Sequence, residues 1–439
     1  MNIVFLGIVF VAFVSAAVRE ILWLGGQISP MESLTKGMIE SAAGSVELAL
    51  GLIGVMTLFL GLMKVAEAGG LLRVIAALIR PLMVKLFPEV PAHHPAMGAM
   101  ILNLSANVMG LGNAATPFGI RAMQELNTLN ARPGTATDSM ALFLAINTSS
   151  VTLLPTGVIA LRAAAGSADP AGILPTTLFA TICSTAAAII AAKLYARFFQ
   201  GKPQNKEEGG EREDKTQAPE QPLEKMPQTS AEAYPLWAYP LWVSLTAIGV
   251  LCAMIPVVVI YGKTISPWII PCLMMCFLTY GVVMRVRVYE VFVEGAKEGF
   301  QVAVRIIPYL VAILVAVGMF RASGTLDLMV NWLGPLTERV GLPAEALPMA
   351  LMRPLSGSGA YGILASIIQD PAIGPDSYTG YVVSTLQGST ETTFYVLAVY
   401  FGAVQVRRIR HTLAAALTAD LVAVIATVFI CSLLYRSAG

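Results

Sequence analysis

Charge is what this chain has least of. Only 13% of its 439 residues are Asp, Glu, Lys or Arg, about half of the roughly 25% usual in a soluble domain. Together with 56% hydrophobic residues and a mean hydropathy of +0.71, this excludes an ordinary soluble fold and leaves an all-α polytopic membrane protein, with the lipid bilayer as its solvent. A formal net charge of +1 gives no basis for binding nucleic acid. Histidine is scarce as well. His93 and His94 are adjacent and His411 stands alone, so no metal site can be assembled. The cysteines (Cys183, Cys252, Cys272, Cys276 and Cys431) lie in apolar segments without ligand company, and Cys272 and Cys276 are one helical turn apart, as packing residues are. A catalytic triad, an HExxH motif and an ATP-binding loop are all absent. No catalytic residue, metal or cofactor is expected, an enzyme is disfavoured, and any active transport would be secondary.

What is present is a pair of polar interruptions. The apolar run of residues 140–161 is long enough to cross a bilayer, yet its centre reads Asn147-Thr148-Ser149-Ser150-Val151-Thr152-Leu153-Leu154-Pro155. In hydrocarbon each unmet polar group costs several kcal/mol, so such a helix is expected to break where it faces protein, water or a ligand. The second half answers with Gln387-Gly388-Ser389-Thr390-Glu391-Thr392-Thr393 inside the apolar run 382–404. Two broken helices in corresponding places point to a transporter-type site.

Taken in order, residues 2–25 read as a retained apolar helix, because no Lys or Arg precedes the run as in a signal peptide. Residues 27–41 are amphipathic and 46–65 span. The pattern breaks at Gly69-Gly70, and residues 71–86, with Arg73, Arg80 and Lys85, suit an interfacial helix presenting a lipid-headgroup face. Residues 96–129 predict a re-entrant hairpin, two short helices around a tip at 107–117. An apolar helix covers 173–199. Residues 201–235 are rich in Glu, Lys, Gln, Pro and Gly with few aliphatics, a polar linker expected to be disordered. Beyond it, spans are expected at 239–261 and 266–284 with a turn at Gly262-Lys263, then an amphipathic stretch 289–301, a span 302–320, a second hairpin 347–369 and a last apolar helix 412–434.

The halves match each other. Glu67-Ala68-Gly69-Gly70 pairs with Arg321-Ala322-Ser323-Gly324, and Pro81-Leu82 with Pro335-Leu336, both at one offset (321 − 67 = 335 − 81 = 254). Leu104-Ser105-Ala106 pairs with Leu355-Ser356-Gly357, and Asn147 with Gln387. The domains are thus residues 1–200 and 236–439, an internal duplication. Putting the basic clusters at Lys64–Lys85, Arg197 with Lys202, Arg285 with Arg287 and Arg407–Arg410 in the cytoplasm takes roughly nine crossings and makes the repeats inverted. Arg321, Arg339, Arg353 and Arg436 then fall outside, against the rule.

The candidate site lies where two hairpin tips meet two broken helices. The first tip offers Asn103, Ser105, Asn107 and Asn113, and the second Arg353, Ser356 and Ser358. The breaks offer Asn147, Thr148, Ser149 and Ser150, and Gln387, Ser389, Thr390, Glu391 and Thr392. Free helix-end N–H and C=O groups could hold a small polar solute or ion. Glu391, the one acid in the second break, is a functional candidate by its place. The alternatives are that Ser and Thr only bond back to the preceding turn, and that Glu391 only pairs with Arg353. Asp420 and Glu47 read as structural.

At these motifs the chain is similar to the spore maturation proteins. Residues 1–199 resemble spore maturation protein A through Gly51-Leu52-Ile53-Gly54-Val55-Met56, Leu111-Gly112-Asn113-Ala114-Ala115-Thr116-Pro117-Phe118-Gly119 and Asn147-Thr148-Ser149-Ser150-Val151-Thr152. Residues 236–437 resemble spore maturation protein B through Arg305-Ile306-Ile307-Pro308-Tyr309-Leu310, Met352-Arg353-Pro354-Leu355-Ser356-Gly357-Ser358-Gly359 and Gln387-Gly388-Ser389-Thr390-Glu391-Thr392-Thr393-Phe394-Tyr395. The two are commonly separate chains and here are fused. Both belong to the nucleoside-recognition, or Gate, group, which is similar to parts of concentrative nucleoside transporters and of the ferrous iron transport protein B. The resemblance implies two inverted Gate-type repeats with re-entrant hairpins and broken transmembrane helices. It leaves the solute open, a nucleoside-like one included. The expected setting is the inner (plasma) membrane, with a homo-oligomer open. The rival is a membrane scaffold for envelope or spore maturation, whose working surfaces would be the linker and the basic interfacial helix.

Overall fold

The computed structural model describes residues 2–25, 28–110, 112–149, 152–198 and 238–435. The first half contains α1 (Asn2–Ile21), α2 (Pro30–Ala68), α3 (Leu71–Leu86), α4 (Pro95–Val108), α5 (Gly112–Thr128), α6 (Asp138–Ser149), α7 (Thr156–Ala164) and α8 (Leu174–Phe198). The second contains α9 (Leu241–Val283), α10 (Val288–Ala322), α11 (Thr325–Thr337), α12 (Leu347–Met352), α13 (Gly357–Ile368), α14 (Tyr378–Ser389), α15 (Thr393–Ala403) and α16 (Thr412–Tyr435). Among the described residues there is no strand beyond an isolated bridge between Thr135 and Arg408. The order of α2 to α8 recurs as α10 to α16: long helix, short helix, hairpin, broken helix, apolar helix.

The repeats are inverted, as their contacts show. A Cβ placed on Gly37 of α2 would meet the Ala322 Cβ at 2.8 Å, whereas one on Gly299 of α10 would meet the Met56 carbonyl at 2.8 Å. Numbering rises along one helix as it falls along the other, so α2 and α10 run antiparallel. The same holds for α8 and α16, where the Ser184 hydroxyl donates to the Ala419 carbonyl (3.1 Å) and Tyr435 to the Gly172 carbonyl (2.8 Å). Small residues make these seams. α16 buries Ala415, Ala416, Ala419, Ala423 and Ala426 and turns Leu421, Ile425, Phe429 and Leu433 outward. Large apolar outside and small inside is the pattern of a helix solvated by lipid, where close backbone approach supplies the packing. Among the described residues α2, α8 and α16 are long and apolar enough to span.

The hairpin helices are too short to cross. α4 has 14 residues and α13 has 12, or about 21 and 18 Å of helix against a hydrocarbon core of about 30 Å. Each tip is tied to the break of its own repeat. Leu153 N–H donates to the Val108 carbonyl at 3.1 Å, and Phe394 N–H to the Pro354 carbonyl at 3.0 Å. Gly110, at φ 77°, lies where a Cβ would come within 2.5 Å of the Leu154 carbonyl, so only glycine suits that tip.

The repeats also clamp each other at both ends of α8. At its start, fully buried Arg162 donates to the Pro375 carbonyl (2.6 Å), the Asp169 carbonyl (3.1 Å) and Asp376 Oδ1 (3.0 Å), and lies over the Tyr381 ring. At its other end Arg410 forms an ion pair with Asp138 (2.6 Å) and donates to the Ala136 carbonyl (3.1 Å), while Arg407 and Arg408 N–H reach the Gly134 carbonyl.

Several sequence expectations are corrected. The stretch with Gly262-Lys263 is continuous α9, since one glycine costs a helix only about 1 kcal/mol. Residues 27–41 and 46–65 are joined in α2, and 289–301 with 302–320 in α10, so each amphipathic stretch extends its span. The first tip is shorter than expected, because α4 continues through Asn107 to Val108 and α5 begins at Gly112. Ser105 sits inside α4, whereas Ser356 caps α13, because Pro354 ends the shorter second hairpin arm. Arg80 is buried, leaving Arg73 and Lys85 on the outer face of α3. The linker expectation at 201–235 lies outside the described residues.

Candidate functional site

Both breaks form where the sequence places them. α6 ends at Ser149 and α7 starts at Thr156; α14 ends at Ser389 and α15 starts at Thr393. Helix ends leave carbonyls and N–H groups unpaired, and here they meet across the repeats. The Glu391 N–H donates to the Thr148 carbonyl at 2.8 Å.

A cavity of about 510 Å³ opens at this crossing, within the size range of small-molecule sites. Its walls come from both hairpin tips (Asn107, Gly110, Arg353, Ser358), both breaks (Thr152, Gln387, Thr390, Glu391) and the α2–α10 seam (Lys64, Glu67, Glu298). Of the sequence candidates, Asn107, Arg353, Ser358, Gln387, Thr390 and Glu391 therefore share one space.

The others serve the framework. Asn103 is buried, donating to the Ala115 carbonyl (2.8 Å) and the Tyr400 hydroxyl (3.2 Å), and so pins the first hairpin to α15. Asn147 bonds back to the Phe143 carbonyl and accepts from Asn107 at 3.0 Å, which aims Asn107. Ser105, Thr148, Ser149 and Ser389 bond to carbonyls of the preceding turn. Ser356 caps α13 by accepting from Gly359 N–H. Thr392 accepts from Arg353 at 3.1 Å. Ser150 and the Asn113 side chain lie outside the described residues.

Charges of both signs face the cavity. Lys64 Nζ is 3.2 Å from Glu298 Oε1 and 3.5 Å from Glu67 Oε2. Arg353, only 6% exposed, donates to the Thr390 carbonyl and the Thr392 hydroxyl, with Glu391 at 3.8 Å. Glu391 itself is 44% exposed. Its pairing with Arg353 is loose, and its carboxylate remains open to the cavity. Among the described residues Gln387 Oε1 and Arg353 Nε are buried without a hydrogen-bond partner, a costly state. Lys64, Glu67, Glu298 and Tyr361 were not singled out as site residues by sequence. The spacing Lys64–Glu67 at the end of an apolar run was the available signal; Lys64 read there as part of a cytoplasmic cluster.

The Gate profile, described as nucleoside recognition, matches residues 49–165 and 303–407. Spore maturation protein B of Bacillus subtilis (strain 168) is 47% identical over 169 residues, 38% of this chain and 94% of that protein. Spore maturation protein A of the same organism is 44% identical over 160 residues, 36% of this chain and 82% of that protein. A distant likeness, at a TM-score of 0.44 and 14% identity, covers 88% of this chain and 75% of a solved structure described as CNTnw in an inward-facing substrate-bound state. The matched segments hold both breaks and the cavity walls apart from Glu298 and Val302. The chain is a membrane protein of the Gate, or nucleoside-recognition, family.

Proposed function

We propose that this protein is a transporter or channel for a small polar solute or ion in the inner (plasma) membrane, with its site in the cavity between the two breaks. The observation that carries this reading is the meeting of both repeats' helix breaks around one space of about 510 Å³ with polar and charged groups in its wall. Lys64, Asn107, Ser358 and Gln387 in its wall, with the open Glu391 carboxylate, supply both donors and acceptors. Such a set suits a neutral or mixed-charge polar solute, a nucleoside-like one among them. Residues 1–200 and 236–439 act as its two Gate repeats, joined by the polar linker 201–235. The basic groups around the second clamp, Arg132, Lys193, Arg197, Arg407, Arg408 and Arg410, support placing that end in the cytoplasm. The scaffold alternative loses part of its basis, since Arg80 is withdrawn from the basic face of α3.

The test is a thermal-shift screen of nucleosides, organic acids and inorganic cations on the detergent-solubilised protein, followed by uptake into proteoliposomes. A true ligand at a hundred times its Kd stabilises by about 2.7 kcal/mol. That shift should vanish in Gln387→Leu, and the same compound should be taken up. A complete screen without a shift, or a shift that survives Gln387→Leu and Glu391→Gln, overturns this site.

A further inference from the structure

Asp420 lies in α16 away from the cavity wall and is 8% exposed. Its Oδ2 accepts from the Thr393 hydroxyl at 2.6 Å, and its Oδ1 is buried without a partner among the described residues. Thr393 is the first residue of α15, directly after the break. Arg353 donates to Thr392, the neighbour of Thr393 in the chain, and lies 3.8 Å from Glu391, and its charge reaches Asp420. One buried guanidinium is thus shared by two carboxylates, one facing the cavity and one enclosed.

Other ionisable groups are remote or neutral. α6, α8, α14 and α15 pack on α16. Asp138 of α6 is held by Arg410, which precedes Asp420 by ten residues (420 − 410), or about 15 Å of helix. His411 lies at the same end. Lys193 and Arg197 of α8 lie at least nine residues (193 − 184) beyond Ser184, the residue that touches Ala419. Tyr195 donates to or accepts from Thr418 at 3.1 Å. Tyr381 of α14 stacks on Tyr435 at the far end of α16, and Cys431 meets Thr385 there. Tyr378 of α14 donates to the Gly341 carbonyl, and Tyr400 of α15 accepts from Asn103. Tyr395 of α15 is exposed. Arg353 is therefore the charge on which the state of Asp420 turns.

We propose that Asp420 is a proton-binding site coupled through Arg353 to Glu391 in the cavity wall. While Glu391 shares Arg353, a carboxyl with one bare oxygen in a membrane interior holds its proton. When Glu391 is drawn away by a solute donor or cation, Arg353 is left to balance an Asp420 carboxylate, and the proton leaves to water. Solute entry and proton release are then two faces of one exchange, a step that rests on the cavity being the solute site.

The experiment needs no solute. Infrared spectra of the reconstituted full chain are recorded across a pH titration, following the C=O stretch of a protonated carboxylic acid. The band should be present in the native protein and missing in Asp420→Asn. In Glu391→Gln, where Arg353 has lost its other acid, it should vanish at a lower pH. In Thr393→Val, which removes the one hydrogen bond to the carboxylate, it should persist to higher pH. An Asp420→Asn spectrum identical to the native one overturns the proposal, as does a Glu391→Gln titration that is unchanged. Should Asp420→Asn fail to fold, an unmoved titration in Thr393→Val does the same. Because these readouts are independent of ligand, they can fail while a ligand still binds the cavity.

Discussion

The backbone N–H of Glu391 donates to the carbonyl oxygen of Thr148 at 2.8 Å. One residue sits in the break of the second repeat and the other in the last turn of α6 in the first. The bond satisfies a helix-end carbonyl that water cannot reach. It also means that neither break can shift without the other, so any movement at the cavity involves both repeats.

Removing the Arg353–Glu391 contact should cost little, because the carboxylate is 3.8 Å away and 44% exposed, while Arg353 keeps the Thr390 carbonyl and Thr392. A double-mutant cycle of Glu391→Gln and Arg353→Met should give a coupling below about 1 kcal/mol. Arg353→Met alone should cost more, since it strips a buried carbonyl of its donor. A coupling of about 3 kcal/mol or more in melting experiments would make the pair a structural ion bridge.

The two clamps should differ in strength. Arg162 is wholly buried, and its loss leaves the Pro375 and Asp169 carbonyls and Asp376 short of a donor. Arg162→Met should destabilise by about 3 kcal/mol or more. Arg410, 22% exposed, can be replaced by water, and Arg410→Met should cost under about 2 kcal/mol. Equal losses would show that burial does not set the difference.

Two glycines, Gly299 of α10 at the seam with α2 and Gly54 of α2 away from it, make a matched pair. A methyl group on Gly299 would lie 2.8 Å from both the Met56 carbonyl oxygen and the Thr57 Cα, backbone atoms that cannot turn aside. Gly299→Ala should cost about 1–3 kcal/mol. Gly54 has open space at its Cβ position, and Gly54→Ala should be neutral or stabilise by up to about 1 kcal/mol. Melting temperatures of the two variants that move together would refute close packing at Gly299.

Much of this architecture was legible because membranes enforce simple rules. Polar residues inside spanning runs marked both breaks, and a constant offset of 254 marked the duplication. The site was only half legible. Asn103, Asn147 and Ser149 look like ligands in sequence, but each has a carbonyl within one turn or across a hairpin, and the local bond wins. Lys64 and Glu298 were hidden for the opposite reason. They are 234 residues apart (298 − 64) and meet only because α2 and α10 pack antiparallel. Gly262-Lys263 misled because a glycine and a charge suggest a turn, while helix propagation needs only the next carbonyl.

The pH dependence of stability should carry the mark of His411, which lies in the loop between α15 and α16 and is buried. Burial, then the neighbouring positive Arg410, lower its pKa from the ordinary value, and Asp138 opposes them more weakly. The unfolded chain takes up this proton near pH 6.5, the folded chain only at lower pH. Between those two values the unfolded state binds more protons, so stability rises with pH there. Cooling of the melting transition should begin as pH falls through about 6.5 and continue to the folded-state value. His411→Asn cannot take up the proton and should lose that component of the slope, whatever its stability at neutral pH. The measurement is the melting temperature of both proteins in detergent from about pH 8 to pH 5. A constant gap between the two curves would show that His411 contributes nothing to the acid sensitivity.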